Sequence, residues 1–140
     1  MNLNIKKQIE RIGKIKMNNY IKKFPNKPSF VQEGFNGYTS NLDCKNISIT
    51  FEDVHKGHDK YALNTTSYSI YYVIDGNGVF KIDKELCEVT KGDLIEIPPK
   101  TEFVFKGEMK LLLIMNPPFA MENDIAGKDN DLYLIKQLKK

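Results

Sequence analysis

The sequence predicts an all-β barrel or sandwich with a short helical or extended arm at its N-terminus. Polar and apolar residues alternate in short runs, most clearly in residues 46–53, where every second residue from Ile47 to Phe51 is apolar. Glycines and prolines separate such runs at intervals of about eight to twelve residues, a spacing typical of sandwiches and barrels. The seven Tyr and eight Phe residues also favour strands over helices.

Length and composition indicate one globular domain. The chain has 140 residues, of which 41% are hydrophobic, enough to bury a core without disulfides or a metal. Its two cysteines, Cys44 and Cys87, show no metal-ligand spacing, so a reducing, cytoplasmic compartment is the simplest expectation. No apolar run approaches the ~18 residues of a membrane span, and we expect no secretory signal and no membrane partner.

The N-terminal segment differs in charge from the remainder of the chain. The formal net charge is +3, yet residues 1–24 alone hold seven Lys or Arg and one Glu. The remainder is therefore acidic, which argues against nucleic-acid binding. Ile5, Ile9 and Ile12 follow helical spacing, which predicts a basic amphipathic segment. Its simplest interpretation is a packing arm or solvated extension, and a helix that binds a membrane surface or a partner is the alternative.

Two prolines and the later turn residues divide the chain into three parts. Residues 1–28 are predicted to be an arm and linker, residues 29–119 a barrel, and residues 120–140 a tail packed on the barrel. An apolar patch at residues 132–135 is expected to add a strand or to dock as a helical turn. Within the barrel we expect strands at residues 29–32, 37–41, 46–53, 61–64, 67–74, 79–82, 86–89, 94–97, 102–105 and 110–115.

The sequence Asp75-Gly76-Asn77-Gly78 is a strong hairpin signal, because Gly and Asn accept the positive φ of a tight turn. It lies within YYVIDGNGVF, and KGDLIEIPPKT follows it. Together these stretches resemble the cupin superfamily, small β-barrels that often hold a metal on three histidines and a glutamate. The spacing of Gly57 and Gly76 matches the first cupin motif, and that of Gly92 and Pro98 matches the second. The resemblance covers about half of the chain and implies a single jelly-roll barrel.

The metal-ligand positions of those motifs are occupied by other residue types. The three histidine positions hold Leu63, Thr65 and Phe103, and the glutamate position holds Ser69. Because Leu and Phe provide no donor atom and hydroxyls are poor ligands, we expect no metal and no cofactor. The two histidines, His55 and His58, are expected in an exposed polar loop. Two alternatives remain for them: His58 as a polar group at the barrel mouth, and both as displaced ligands.

The resemblance also implies which side chains line the barrel. Such a lining would be apolar and aromatic with a few hydroxyls, which suits a small organic ligand, with a sugar or sugar derivative as one possibility. In the alternative interpretation these side chains simply fill the core. The inward positions are Leu63, Thr65, Ser69, Tyr71, Val73, Phe103 and Phe105, with Tyr38 and Tyr61 at the rim.

Two functions are consistent with this lining. One is a metal-independent protein that binds a small metabolite without catalysis. The other is a metal-independent sugar isomerase or epimerase with Tyr71 and His58 as the acid–base groups; Tyr38, Glu52 and Asp53 are further candidates. A homodimer is expected in either case, formed through sheet faces or through exchanged strands of residues 29–41.

Overall fold

The computed structural model describes residues 3–11 and 20–135. Helix α1 (Leu3–Arg11) forms within the predicted arm, and residues 12–19 of the predicted amphipathic segment lie outside the described residues. No helix in the described part of the chain is long and apolar enough to cross a membrane. The strands there are β1 (Phe30–Val31), β2 (Phe35–Thr39), β3 (Ser48–Val54), β4 (Lys60–Asn64), β5 (Tyr68–Ile82), β6 (Glu85–Thr90), β7 (Leu94–Ile97), β8 (Phe103–Asn116) and β9 (Asp124–Asp129).

The strands form one curled antiparallel sheet around the long pair β5 and β8. One edge of β8 pairs with β4 near its start and with β3 along its second half. The edge of β5 opposite β8 pairs with β7 along its first half and with β6 along its second half. Strands β2 and β1 extend the sheet beyond β3, and β9 extends it beyond β4. The two halves of the sheet enclose the core, so the predicted all-β barrel is confirmed.

The hairpin predicted at residues 75–78 is wrong. Strand β5 runs through this segment without a turn, and its register against β8 shifts between Val73 and Asp75, which is a β-bulge. Gly76 has φ +86°, and a Cβ there would lie 2.1 Å from the carbonyl oxygen of Glu108. A bulge and a tight turn both require positive φ, so the sequence signal does not distinguish them.

The C-terminal half departs from the predicted elements in two further places. Strand β8 is continuous where two strands were expected, at residues 102–105 and 110–115. Strand β9 was not predicted, because it is exposed along most of its length and lacks an apolar alternation. The apolar patch at residues 132–135 docks as a 3₁₀ turn, Asp131–Leu134, which is one of its two predicted alternatives. Leu132 of this turn packs against Tyr61 and Val104.

The main core lies between the two halves of the sheet. Aromatic rings dominate one end, where Phe80 and Phe105 have centroids 4.9 Å apart. Aliphatic side chains, most of them from β7 and β8, fill the remainder. The core comprises Phe35, Val54, Tyr71, Val73, Phe80, Val89, Ile95, Ile97, Phe103, Phe105, Met109, Leu111, Leu113 and Met115.

Candidate functional site

Three titratable side chains lie inside this largely apolar interior: Glu52, His58 and Tyr71, which are 2%, 7% and 2% exposed. Strand β3 supplies Glu52 because its polar face, rather than the face of Ile49 and Phe51, points inward. Strand β5 supplies Tyr71, and the segment before β4 supplies His58. Burial of an ionisable group costs folding free energy unless the group is neutral or paired with a hydrogen-bonding partner.

The carboxyl group of Glu52 is buried, and its hydrogen-bonding capacity is not fully used. Burial raises its pKa from 4.5 to about 8, so the side chain is mainly protonated at neutral pH. Its Oε1 atom has no hydrogen-bond partner among the described residues. An unpaired buried polar atom lowers the stability of the folded protein by about 1–3 kcal/mol. Such unpaired groups are often found at functional positions.

His58 is buried among rings, which contradicts the expected exposed loop histidine. Its ring centroid lies 3.9 Å from that of Phe105, 5.5 Å from Phe103 and 5.3 Å from Phe35. Burial lowers its pKa from 6.5 to about 3, so the imidazole is neutral. Nδ1 has no partner in the described part of the chain.

Distant residues of the chain hold His58 in place. Its backbone N–H donates to the carbonyl oxygen of Phe105 at 3.0 Å. Its own carbonyl oxygen accepts from Asn130 Nδ2 and from Tyr133 Oη, each at 2.9 Å. Asn130 and Tyr133 lie more than seventy positions away from His58 in the sequence. The polarity of the residues around His58 could therefore not predict its burial. His55 is exposed, as expected.

Tyr71 lies beside the same rings as His58. Its ring centroid is 5.9 Å from that of Phe103 and 5.7 Å from that of Phe105. Burial raises the pKa of Tyr71 well above 10, and the charges of Glu52 and Asp124 raise it further. The phenol is therefore a hydrogen-bond donor at any physiological pH. Glu52 and Tyr71 thus both point into the interior, from β3 and β5, while Asp124 lies at the exposed start of β9.

Asn64 adds a buried amide to the interior, and the exposed Asp124 lies opposite it; sequence reasoning missed both. They are cross-strand partners in β4 and β9. Asn64 is buried, and its Oδ1 accepts from the backbone N–H of Ser67 at 2.7 Å, while its Nδ2 has no partner within the described residues. Desolvation raises the pKa of Asp124, and the nearby amide of Asn64 opposes part of this rise. The only sequence signal was the turn-forming Asn64-Thr-Thr-Ser.

No family model matches the chain. An uncharacterised protein of Methanocaldococcus jannaschii is 42% identical over 62 residues, which are 41% of this chain and 50% of that protein. The matched segment therefore spans half the length of this relative. Among solved structures, Streptomyces Pac13, described as a nucleoside dehydratase, superposes with TM-score 0.69 at 24% identity and covers 83% of this chain and 92% of its own.

Other solved structures share the same barrel at lower identity. KdgF from Halomonas has TM-score 0.60 and 14% identity, covering 71% of this chain and 94% of its own. Ectoine synthase from P. lautus has TM-score 0.59 and 15% identity, covering 72% and 81%. All three are cupin-fold proteins. This chain has the cupin fold.

The cupin interior contains four of the eight ligand-binding candidates. Ser69 and Tyr71 point inward from β5, and Phe103 and Phe105 point inward from β8. Val73 also lies in the core, as expected. That any of these side chains contacts a ligand stays a prediction.

The other four candidates lie elsewhere. Tyr61 packs on the outer side of the barrel with Val104 and Leu132, and its hydroxyl donates to Asp131. Tyr38 contacts Phe51 on the outer face, with centroids 5.9 Å apart. The rim position expected for both tyrosines is therefore wrong.

The inward orientation expected for Leu63 and Thr65 is also wrong. Ala62 packs against the core, and adjacent strand residues point to opposite faces, so Leu63 points away from it. Thr65 lies beyond the end of β4, where its backbone N–H donates to the carbonyl oxygen of Asn123 at 2.8 Å. The alignment of the cupin motif with this sequence was thus offset by one residue in β4. The residue that points into the interior is Asn64, rather than Leu63 or Thr65.

The residues present do not fit the metal centre that many cupins carry. Within residues 3–11 and 20–135, no three His, Cys, Asp or Glu side chains converge closely enough to hold a metal ion. His58 lies among phenyl rings, which supply no further donor atoms. A separate pocket of about 360 Å³ opens at the β5 bulge, away from these groups; it is lined by Asp53, Val54, His55, Asp75, Gly76, Glu108, Met109 and Lys110.

Proposed function

We propose that this cupin-fold protein binds a small, uncharged, sugar-containing molecule in its barrel and promotes proton transfer on it without a metal. The observation that carries the proposal is the buried carboxyl of Glu52, whose Oε1 has no partner among the described residues and which shares the barrel interior with Tyr71. A carboxyl with a pKa of about 8 is mainly protonated at pH 7 and still keeps an ionised fraction of roughly one-tenth, so it can act both as a proton donor and as a base. This is the property that general acid–base catalysis requires.

The charge state of the interior selects the class of ligand. Glu52, His58 and Tyr71 are all mainly neutral at pH 7. No Lys or Arg side chain is buried among the described residues. A phosphate group would therefore meet no buried cation to offset the cost of its desolvation. An uncharged polyol, by contrast, can exchange hydrogen bonds with the carboxyl, the phenol and the amide of Asn64.

A nucleoside is the first ligand to test. Pac13 structures with uridine include a variant with one histidine replaced by glutamine and two variants with a tyrosine replaced by phenylalanine. That histidine and the first tyrosine are thirteen positions apart, as are His58 and Tyr71. The second tyrosine follows thirty-four positions later, which in this chain is the separation of Tyr71 and Phe105. Shared spacing in a shared fold supports a related ligand for this chain.

Each polar group then has a defined role. Glu52 exchanges a proton with the ligand, taking it as carboxylate or giving it as carboxylic acid. Tyr71 donates a hydrogen bond to a ligand oxygen, and His58 offers its unpaired Nδ1 as a further hydrogen-bonding position. Phe103 and Phe105 supply the apolar ring surface beside His58 and Tyr71. Isomerisation and elimination are the reactions that such proton transfer can serve.

A thermal-shift screen tests the proposal. The panel contains uridine, other nucleosides and free pentoses, each nucleoside beside its 5′-phosphate. We expect an uncharged nucleoside or sugar to raise the melting temperature and its phosphate to have a smaller effect. Stabilisation by the phosphates alone, or by no member of the panel, would contradict the proposal.

Two variants locate the site. Tyr71→Phe and Ser69→Ala should abolish the shift, whereas Tyr72→Phe, its neighbour on the outer face, should retain it. Chromatography of an active mixture for new products then separates catalysis from binding, and Glu52→Gln should remove any turnover while the protein stays folded. An equal shift in Tyr71→Phe, Ser69→Ala and Tyr72→Phe would place the ligand outside the barrel.

A further inference from the structure

The polar groups of the interior are closed off from solvent by the barrel itself. Glu52, His58 and Tyr71 are at most 7% exposed, although the proposed function offers each of them to a ligand. The pocket of about 360 Å³ at the β5 bulge lies away from them. A ligand of the size of a nucleoside can therefore reach these groups only if part of the wall moves.

Most of this wall is held by long strand pairs or by buried side chains. Strand β8 pairs with β3 along the whole of that strand and with β5 along nearly its full length. Strand β4 is flanked by β9, and its Tyr61 packs on the buried Leu132. Strand β1 differs, because it has two residues, pairs with β2 alone among the described strands, and lies within the exposed residues 20–33. Local opening occurs most readily where little apolar surface is buried, which is at β1.

The side chain of Phe30 on β1 nevertheless points to the inner face of the sheet. Phe30 is paired with Gly37, and Gly37 is paired with Glu52, so these three residues form one cross-strand row. Residues directly opposite each other in a sheet share a face, and the face of Glu52 is the interior. The Phe30 ring, 38% exposed, therefore lies at the edge of the interior with Gly37 between it and Glu52.

Gly37 makes room for this ring. A Cβ on Gly37 would overlap the Phe30 ring. Gly37 is not among the residues with positive φ, so the ring, rather than the backbone, requires a glycine here. Phe30 also packs edge-on against Phe35, with centroids 5.6 Å apart, and Phe35 contacts the imidazole of His58 at a centroid distance of 5.3 Å. One ring thus separates Phe30 from His58.

Few hydrogen bonds attach β1 to the barrel. The backbone N–H of Ser29 donates to the carbonyl oxygen of Gly37 at 2.7 Å, and that of Gln32 donates to Phe35 at 2.9 Å. The hydroxyl of Ser29 accepts from the backbone N–H of Thr39 at 2.9 Å. All three partners belong to β2, so residues 29–32, which we call the β1 flap, can separate from β2 without disturbing another strand pair.

We infer that the β1 flap covers the entrance to the barrel interior and that Phe30 is the side chain that closes it. The inference rests on the proposed function in one respect, namely that the interior receives a ligand. When the flap separates from β2, the Phe30 ring leaves its position over Gly37 and opens a path to Glu52 and His58. Closure of the flap then excludes water from these groups, as lids do in many enzymes. Phe30 controls admission and takes no part in proton transfer.

Chemical labelling of His58 measures this opening without a ligand. Diethyl pyrocarbonate acylates neutral imidazole, and His55→Gln leaves His58 as the one histidine of the chain. Mass spectrometry of the peptide that contains His58 gives the labelling rate. Phe30→Ala should raise this rate roughly tenfold, because the ring no longer closes the entrance. Phe24→Ala removes a similarly exposed ring that contacts Phe51 on the outer face, and should leave the rate unchanged.

A disulfide between β1 and β2 holds the flap closed and leaves the interior side chains unaltered. Val31 and Asn36 are paired and point to the outer face, so Val31→Cys combined with Asn36→Cys can form the bond. Cys44→Ser and Cys87→Ser remove the native thiols. In the His55→Gln background the oxidised protein should label roughly tenfold more slowly than the reduced protein, and dithiothreitol should restore the rate. Urea unfolding of both forms measures their global stability.

Equal labelling of the oxidised and reduced forms would overturn the inference, as would a difference that their global stabilities account for. Equal acceleration by Phe30→Ala and Phe24→Ala would overturn it as well. Because labelling needs no ligand, its result is independent of the thermal-shift screen. If labelling depends on the flap and no nucleoside or sugar stabilises the protein, the flap stands and the proposed function fails. If uridine stabilises both forms and associates with both at the same rate, the proposed function stands and the flap is overturned.

Discussion

Glu52 and Tyr71 face the same interior from strands on opposite sides of β8. Glu52 pairs with Leu111 of β8, and Tyr71 pairs with Leu113, so the two side chains are offset by one inward row. Burial raises the pKa of both, and the charge of Glu52 raises the pKa of Tyr71 further. The pair is thus a carboxylic acid and a phenol that are both protonated at neutral pH inside an aromatic barrel.

Glu52 should make the protein less stable as the pH rises. Its folded pKa of about 8 lies above the unfolded value of 4.5, so its stabilising contribution is fully present below pH 4.5 and is lost as the pH rises through 8. The expected slope is on the order of 1 kcal/mol per pH unit in this window. Urea unfolding of the unaltered chain and Glu52→Gln at pH 5, 6.5 and 8 measures the difference. The exposed control Glu108→Gln should parallel the unaltered chain, and parallel behaviour of Glu52→Gln would contradict the prediction.

His58 should have the opposite effect on stability, making the protein less stable as the pH falls. Its folded pKa of about 3 lies below the unfolded value of 6.5, so its contribution is present above pH 6.5 and is lost as the pH falls toward 3. Relative to the unaltered chain, His58→Gln should lose less stability between pH 6.5 and 4.5. Melting temperatures at the two values test this, with exposed His55→Gln as the control. A larger acid sensitivity in His58→Gln would show that the imidazole is protonated in the folded protein.

The bulge at Gly76 should be intolerant of a side chain. Gly76 and Gly92 both have positive φ, +86° and +95°, but only at Gly76 would a Cβ collide, at 2.1 Å from the carbonyl oxygen of Glu108. Gly92→Ala should therefore cost about 1–2 kcal/mol from its backbone alone. Gly76→Ala should cost at least ~3 kcal/mol, since overpacking is added to the strain. Urea unfolding compares the two, and equal losses would mean that β5 and β8 are not in close contact there.

The docked C-terminal turn should contribute to stability through one leucine. Leu132 is 2% exposed beside Tyr61 and Val104, whereas Leu134, two positions later, is 80% exposed. Leu132→Ala should cost about 2–5 kcal/mol and Leu134→Ala less than about 0.5 kcal/mol. Similar losses, measured by urea unfolding, would indicate that the turn does not pack on the barrel in solution.

The local pattern of the sequence located most of the strands, apart from β9 and the continuous β5 and β8, but not the side chains of the interior. Alternation located β3 correctly, and the Gly and Pro spacing predicted the cupin barrel. The alternation did not reveal that Glu52, rather than Phe51, points inward, because β3 turns its face with Thr50 and Glu52 toward the interior. The burial of His58 depends on Asn130 and Tyr133, which are remote in sequence. The predicted orientation of β4 was wrong because the motif was aligned with an offset of one residue. Side chains of a strand alternate between two faces, so an offset of one residue moves every side chain to the opposite face.

The protonation state of Glu52 is the central claim about the site, and carbon-detected NMR tests it directly. With glutamate carboxyl carbons labelled, the Glu52 signal is the one that Glu52→Gln removes. We predict that this signal titrates near pH 8, above the exposed glutamates. A Glu52 carboxyl that titrates near its ordinary value of 4.5 would show that it is ionised and solvated at neutral pH, and would contradict the proposed acid–base site.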